Sequence, residues 1–272
     1  MNILFIGDIV GKPGRALIRS AVGSLVGRRE IDLVIANVEN AAGGMGITRN
    51  VAESIRDIGV QVMTSGNHIW DKKEALDYIQ LEPRLLRPAN YPNGVPGLGH
   101  YVAHGKDHEP VAVINVMGRV FMNPLDNPFQ IINTELKAVR QDARVVIVDF
   151  HAEATSEKLA MGWHLAGQVT AVLGTHTHVQ TADERVLPNG TAYITDVGMT
   201  GPHDSIIGVH TGPALQRFLN GMPSRFETAT ANPRLNGVII TADDATGRAT
   251  RIVRVNVSAE SLETSGGELV ST

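Results

Sequence analysis

The stretch VTAVLGTHTH, residues 169–178, places two histidines directly after an apolar run that ends at Gly174. Such a run is typical of a buried strand. In an extended chain, residues two apart point to the same side, so His176 and His178 would project together from the strand end. Open α/β sheets form their ligand crevices at the carboxyl ends of strands. The pair therefore indicates either a metal site or two hydrogen-bonded loop histidines.

Apolar runs of strand type alternate with segments of helical spacing over the first two thirds of the chain. This alternation predicts an α/β fold. Two later segments, RVLPNGTAYIT (185–195) and NGVIITADDATGRATRIVRVNVS (236–258), predict hairpins, the first with an Asn-Gly turn. We expect them to form a second, more antiparallel sheet beside the first. We predict a single domain over residues 1–257 and a polar tail over residues 258–272.

The composition of the 272 residues excludes several classes of protein. The chain has no cysteine, which rules out disulfides and thiolate metal sites. Its net charge of −4 gives no support for stable nucleic-acid binding. No apolar run approaches the roughly 20 residues of a membrane helix, and the N-terminus has no basic region typical of a signal peptide. We therefore expect a cytoplasmic protein with neither a membrane nor a nucleic acid as a stable partner.

Polar side chains follow five of the predicted strands, at the point where each strand ends. They are Asp8, then Glu39 and Asn40, then Asn67 and His68, then His151, and finally His176 and His178. If these strand ends share one edge of the core, the side chains converge. Carboxylate, amide and imidazole donors of this kind suit divalent metal ions. The set is large enough for the two-metal arrangement of many hydrolases, in which the ions lie about 3.5–4 Å apart.

The order of the motifs GD, EN, GNH, FH and GTHTH resembles the calcineurin-like metallophosphoesterases. The longer strings GDIVGKPGR, ENAAGG, TSGNHIWDKKE, DFHAEATSEK, GTHTHVQTAD and MTGPHDSIIG resemble the bacterial YmdB-type branch of that superfamily, from residue 1 to about residue 257. The resemblance implies a four-layer α/β/β/α sandwich with two mixed sheets. Ile9 and Val10 follow Asp8 where the superfamily has Asp-x-His, a difference that the YmdB-type branch shares.

The resemblance implies two metal-ligand sets that share one carboxylate. The first set is Asp8, Glu39, Asn40 and His178, and the second is Glu39, Asn67, His151 and His176. His68 is left without a metal and becomes the expected proton donor. The first ion would have one nitrogen ligand among oxygen ligands, which favours iron or manganese over zinc. We expect two divalent ions, iron first, with manganese or zinc as alternatives.

The function that the resemblance implies is hydrolysis of a small phosphodiester, a cyclic nucleotide and especially a 2′,3′-cyclic nucleoside monophosphate. A hydroxide bridging the two metals would attack phosphorus, and His68 would protonate the leaving oxygen. Two alternatives are a regulatory or binding protein with a vestigial metal site and a metal-dependent hydrolase of another bond type. The Pro- and Gly-rich segment near residues 83–100 offers contact surface for a homo-oligomer.

Two further features have structural interpretations. His100, His104 and His108 are spaced four apart, but Gly105 and Pro110 would interrupt a helix, so we expect a solvated loop. Asp71 precedes a short helical segment and is predicted to be its N-cap.

Overall fold

The computed structural model describes residues 1–28, 30–104 and 110–264, which form twelve strands and seven helices. The strands are β1 (Asn2–Ile6), β2 (Leu33–Asn37), β3 (Val62–Thr64), β4 (His100–His104), β5 (Pro110–Met117), β6 (Val145–His151), β7 (Ala171–Thr175), β8 (Arg185–Leu187), β9 (Thr191–Ile194), β10 (Gly201–Pro202), β11 (Pro233–Asp243) and β12 (Arg248–Ser258). The helices are α1 (Gly11–Arg28), α2 (Arg49–Asp57), α3 (Lys73–Tyr78), α4 (Pro128–Val139), α5 (Thr155–His164), α6 (Thr211–Asn220) and α7 (Ala259–Thr264).

The strands form two six-stranded sheets. One has the order β10-β11-β1-β2-β3, with β12 paired to β11, and the other has the order β4-β5-β6-β7-β9-β8. Both sheets are mixed, because β1, β2 and β3 run parallel and β11 antiparallel to β1, while β5, β6 and β7 run parallel and β4 antiparallel to β5. The predicted hairpins exist as β8–β9 and β11–β12. The expectation that they make a separate antiparallel sheet is wrong, since each extends one of the two mixed sheets.

Alternation of side chains along the strands explains the layers. In β1, Ile3 and Phe5 pack between the two sheets, whereas Leu4 and Ile6 pack on the opposite face with residues of α1 and α2. In β6, Ile147 belongs to the core between the sheets, and its neighbours on the strand pack toward α4 and α5. The order helix, sheet, sheet, helix confirms the predicted four-layer α/β/β/α sandwich.

Three other expectations have different outcomes. His100 and His104 lie in β4, not in a loop, because residues 100–104 pair with β5; His108 lies outside the described residues. The predicted tail, residues 258–272, begins with the last residue of β12 and continues as α7. Residues 265–272 are likewise outside the described part, so the domain boundary at residue 257 stays a prediction. None of the helices in the described residues combines the length and the hydropathy needed for a membrane span.

Candidate metal centre

The first cluster surrounds the Nε2 atom of His151, the last residue of β6. This nitrogen lies 3.0 Å from Oδ1 of Asn67, 3.1 Å from Oε1 of Glu39 and 3.0 Å from Nδ1 of His176. One ligand atom from each of Glu39, His151 and His176 falls within 4.8 Å of the others, so these three side chains could hold a metal ion. His151 and Glu39 are buried at 0% and 1% exposure.

Hydrogen bonds on the far side of His151 determine which of its nitrogens faces the cluster with a lone pair. Thr175 Oγ1 donates to Asp149 Oδ1 at 2.7 Å, so it accepts at 2.9 Å from Nδ1–H of His151. A neutral imidazole carries one N–H, and therefore Nε2 presents a lone pair to the Asn67 carbonyl oxygen. Two acceptors 3.0 Å apart repel unless a cation or a proton lies between them. This donor chemistry fits a metal ion.

The second cluster contains Asp8, Asn40 and His178. His178 donates its Nδ1–H to the Ile207 carbonyl at 2.9 Å, and its Nε2 lies 3.3 Å from Oδ1 of Asn40. The Asn40 amide group donates to the Gly44 carbonyl, so here too a lone pair faces an acceptor oxygen. Asp8 Oδ1 is buried and has no hydrogen-bond partner among the described residues. Because buried polar atoms are rarely left unsatisfied, this orphaned oxygen also fits a cation.

The two clusters adjoin each other. The backbone N–H of His176, whose ring belongs to the first cluster, donates to Asp8 Oδ2 at 3.2 Å. Glu39 and Asn40 are consecutive residues after β2 and contribute to one cluster each. Glu39 also accepts the backbone N–H of His68 through Oε2 at 3.0 Å. The structure therefore brings all eight predicted site residues to one rim, where the parallel strands of both sheets end.

The electrostatics of this rim favour added positive charge. Burial raises the pKa of Asp8 to about 6, although the nearby histidines oppose the shift. Burial would also raise the pKa of Glu39, but the charge and hydrogen bond of His151 outweigh it and hold that pKa at about 2. Burial lowers the pKa of His151, yet the attraction of Glu39 prevails and raises it to about 9. In the absence of a metal ion, a proton on His151 compensates for the buried carboxylates.

The loop after β7 differs from the expected extended geometry. β7 ends at Thr175, and His176 and His178 have φ values of 99° and 67°, in the left-handed region that non-glycine residues seldom adopt. Their rings therefore reach different clusters. Thr177 between them donates through its backbone N–H and its hydroxyl to Asp196, at 3.1 and 2.6 Å. Such strain persists only where the surroundings enforce it.

A buried ion pair also helps to hold this loop in its left-handed conformation. The Nζ atom of Lys158, in α5, lies 2.7 Å from Oδ2 of Asp196, and both side chains are at most 1% exposed. Asp196 thus joins α5 to the strained loop. The sequence reasoning missed this pair; the available signal was a lysine in the helix after the strand that carries His151.

Gly66 and Asp71, on either side of His68 in the sequence, each have a structural role at the first cluster. A Cβ atom on Gly66 would lie 2.1 Å from the His151 ring, so this position needs glycine for close approach. The predicted N-cap role of Asp71 is wrong, because the N-cap of α3 is Lys72, without a side-chain capping bond. Asp71 Oδ2 instead lies 2.7 Å from Nδ1 of His68, which is half-buried beside the first cluster.

Asp149 is another residue that the sequence reasoning passed over. It is wholly buried in β6 and accepts from Thr64, Thr175 and Asn37 at 2.5, 2.7 and 3.0 Å. Asp149 thereby fixes the orientation of the Thr175 hydroxyl, which accepts a hydrogen bond from His151. A carboxylate inside an otherwise apolar strand was the signal, since buried carboxylates are rare unless paired.

Comparisons with known proteins identify a family and several relatives of this chain. A family model described as YmdB-like protein matches residues 4–255. The chain is 47% identical over 264 residues to a 2′,3′-cyclic-nucleotide 2′-phosphodiesterase from Bacillus subtilis, covering 96% of this chain and 99% of the relative. Among solved structures, a hypothetical protein from Thermus thermophilus superposes with a TM-score of 0.88 at 41% identity, covering 95% of this chain and 99% of the other. A novel phosphatase from Mycoplasma pneumoniae does so with 0.89 at 34% identity, covering 95% and 93%.

These relatives cover nearly the full length of the chain, and two of the three carry phosphatase or phosphodiesterase names. They confirm the expectation of a phosphoesterase-type hydrolase. With the family model spanning all the motifs from Asp8 to Gly208, the chain belongs to the YmdB-like protein family.

Proposed function

We propose that this protein is a metal-dependent phosphodiesterase that hydrolyses cyclic nucleotides, with 2′,3′-cyclic nucleoside monophosphates preferred. The observation that carries the proposal is the pair of adjoining clusters in which an imidazole nitrogen faces an amide oxygen across gaps of 3.0 and 3.3 Å. The name of the Bacillus subtilis relative supports the choice of substrate. The orphaned buried oxygen of Asp8 supports the metal requirement.

The proposal assigns two divalent ions to the two clusters. Asp8, Asn40 and His178 of the second cluster would hold one ion, and Asn67, His151 and His176 of the first cluster would hold the other, with Glu39 shared between the two ligand sets. The ions, when bound, would lower the pKa of a water molecule and withdraw charge from the phosphoryl oxygens. Iron is the preferred metal because oxygen ligands dominate the set that contains Asp8, with manganese or zinc as alternatives.

His68 is proposed as the proton donor to the leaving ribose oxygen. Its backbone is fixed by the hydrogen bond to Glu39 and its ring by the contact between Nδ1 and Asp71. Nε2 is then the nitrogen that delivers the proton. Attack at phosphorus by the activated water breaks one of the two ester bonds of the cyclic phosphate. The product is a nucleoside monophosphate, whose new hydroxyl carries the proton from His68.

The direct test combines metal analysis of the purified protein with turnover of 2′,3′-cAMP and bis-p-nitrophenyl phosphate, before and after removal of metal by a chelator. We expect hydrolysis that a chelator abolishes and added metal restores. Asp8→Asn should lose metal and activity together, whereas Asp142→Asn, at an exposed position remote from the motifs, should retain both. A metal-loaded protein without activity on any phosphate ester would favour a regulatory role, and faster cleavage of amide substrates would favour another hydrolase class.

A further inference from the structure

We propose that Glu153 is the positioning residue that sets the orientation and the tautomer of the His176 imidazole in the first cluster. Oε2 of Glu153 lies 3.0 Å from Nε2 of His176. The inference rests on the metal centre proposed above and adds to it a residue outside both ligand sets.

The two nitrogens of His176 face different partners. Nδ1 lies 3.0 Å from Nε2 of His151, inside the first cluster, while Nε2 faces the Glu153 carboxylate. A carboxylate only accepts hydrogen bonds, so it selects the tautomer in which Nε2 carries the hydrogen. Nδ1 is then left with its lone pair directed into the first cluster, where it could bind a metal ion. The other tautomer would leave Nε2 and the carboxylate as two acceptors in contact.

The same arrangement recurs at the other two cluster histidines. The outward nitrogen of His151 donates to the Thr175 hydroxyl, and that of His178 donates to the Ile207 carbonyl. Each imidazole therefore has an acceptor on the nitrogen that faces away from the cluster. Acceptors of this kind typically fix the tautomer of a ligating histidine and raise its basicity. Among these three acceptors, Glu153 supplies the charged one.

The backbone gives His176 a particular need for such a partner. Its φ of 99° departs from the strand that precedes it, so the strand geometry does not set the direction of the ring. Glu153 follows His151 by two residues, and β6 pairs with β7 so that His151 lies opposite Thr175. The carboxylate thus spans the ends of two neighbouring strands. On the other side, the Asp8 carboxylate holds the backbone N–H of His176.

The experiment is a calorimetric titration of the metal-stripped protein with Mn²⁺, for the wild type, Glu153→Ala, Glu153→Gln and Glu74→Ala. Glu153 is 47% exposed in its side chain, so its replacement should not prevent folding. We expect Glu153→Ala to weaken one of the two Mn²⁺ sites by about 10–100-fold, as removal of such a partner typically does. Glu153→Gln keeps an acceptor and should lose less. Glu74→Ala, an exposed carboxylate in α3, should match the wild type.

A spectroscopic measurement separates positioning from general destabilisation. Long-range ¹H–¹⁵N spectra of the Zn²⁺-loaded wild type should show His176 protonated at Nε2, and that signal should be lost or broadened in Glu153→Ala. Unchanged Mn²⁺ affinity in Glu153→Ala, or a His176 protonated at Nδ1, would overturn the inference while leaving the proposed function intact. Loss of both ions in this variant would also overturn it, since Glu153 would then act as a ligand. A wild type that binds no Mn²⁺ would refute both proposals.

Discussion

The Nδ1 atom of His68 lies 2.7 Å from Oδ2 of Asp71, while the backbone N–H of the same histidine donates to Glu39. The ring and the main chain of His68 are therefore held by two different carboxylates. One of them belongs to the proposed metal centre and the other lies three residues along the chain. In the proposed mechanism, this arrangement would separate the task of holding metal from the task of moving a proton.

Replacing the proposed proton donor should reduce turnover without removing the metal. For His68→Ala we expect both ions to stay bound and kcat for 2′,3′-cAMP to fall by at least about tenfold, because a positioned acid contributes about 10²–10⁴-fold. Elemental analysis beside steady-state kinetics checks both parts. If the variant purifies without metal, His68 is a ligand and the proposed division of roles is wrong.

Asp71→Asn tests whether this carboxylate positions His68 or caps a helix. We expect kcat to fall by up to about 100-fold, because loss of orientation alone can have that effect, with little change in KM. The midpoint of thermal unfolding should stay unchanged, since Asp71 makes no capping bond to α3. Loss of a true N-cap would instead cost about 0.5–2 kcal/mol of unfolding free energy with activity retained.

The sequence predicts the convergence of the site residues well because the rule behind it is local. An apolar run followed by a polar residue marks a strand end, and parallel pairing of β1 with β2 then brings Asp8 and Glu39 to one edge of their sheet. His151 ends β6 in the other sheet and reaches them because the two sheets pack face to face. Conformations that long-range contacts impose were not predictable in this way. The left-handed backbone of His176 depends on contacts made by Asp8, and the pairing of residues 100–104 depends on β5.

The hairpins likewise combine a local feature that the sequence predicts with a long-range contact that it does not. Asn189 and Gly190 have φ values of 68° and 86°, and the N–H of Gly190 donates to the Leu187 carbonyl at 3.1 Å. The turn predicted from this dipeptide therefore forms as a three-residue loop between β8 and β9. The turn signal fixes the pairing of β8 with β9, but it contains nothing about the strand that lies on the other side of β9. That strand is β7, and the contact assigns the hairpin to the sheet that carries His151.

Gly66→Ala should disturb the metal centre through packing. The added Cβ would lie 2.1 Å from the ring of His151, and relief requires that the ring or the strand end moves. Overpacking of this kind costs about 1–3 kcal/mol of unfolding free energy. Chemical denaturation and metal analysis should show lower stability together with weaker metal retention. Gly23→Ala is the matched control, because no atom lies within 4 Å of its added Cβ and it sits inside α1, where alanine is favoured.

The metal-free protein should lose stability as the pH rises above neutrality. The folded-state pKa of His151 is raised to about 9 from 6.5, so its contribution is complete below pH 6.5 and is lost as the pH rises through about 9. Thermal unfolding followed by circular dichroism should give a falling midpoint between about pH 7 and about pH 9.5. The metal-loaded protein should be much less sensitive in this window, because the ion takes the place of the proton. Equal slopes for both forms would contradict this account of the charge balance.

Lys158→Met should separate the stability of the strained loop from that of the core. It leaves the Asp196 carboxylate buried without its cation, and breaking a buried pair in this way typically costs about 3–5 kcal/mol. Asp196 keeps its bonds from Thr177 and from the backbone N–H of Gly198, so the loop is weakened without losing every anchor. The double variant Lys158→Met/Asp196→Asn removes the uncompensated charge and should recover part of the unfolding free energy.

Metal affinity distinguishes an effect of these variants on the loop around Thr177 from an effect on the stability of the whole fold. If Asp196 acts on the site through Thr177, the double variant should regain stability while its metal affinity stays low, because an amide is a weaker acceptor for the Thr177 hydroxyl. Denaturant unfolding and Mn²⁺ titration on the same preparations provide the two readouts. Parallel recovery of stability and affinity would mean that the buried pair supports the fold as a whole and has no particular effect on the residues between His176 and His178.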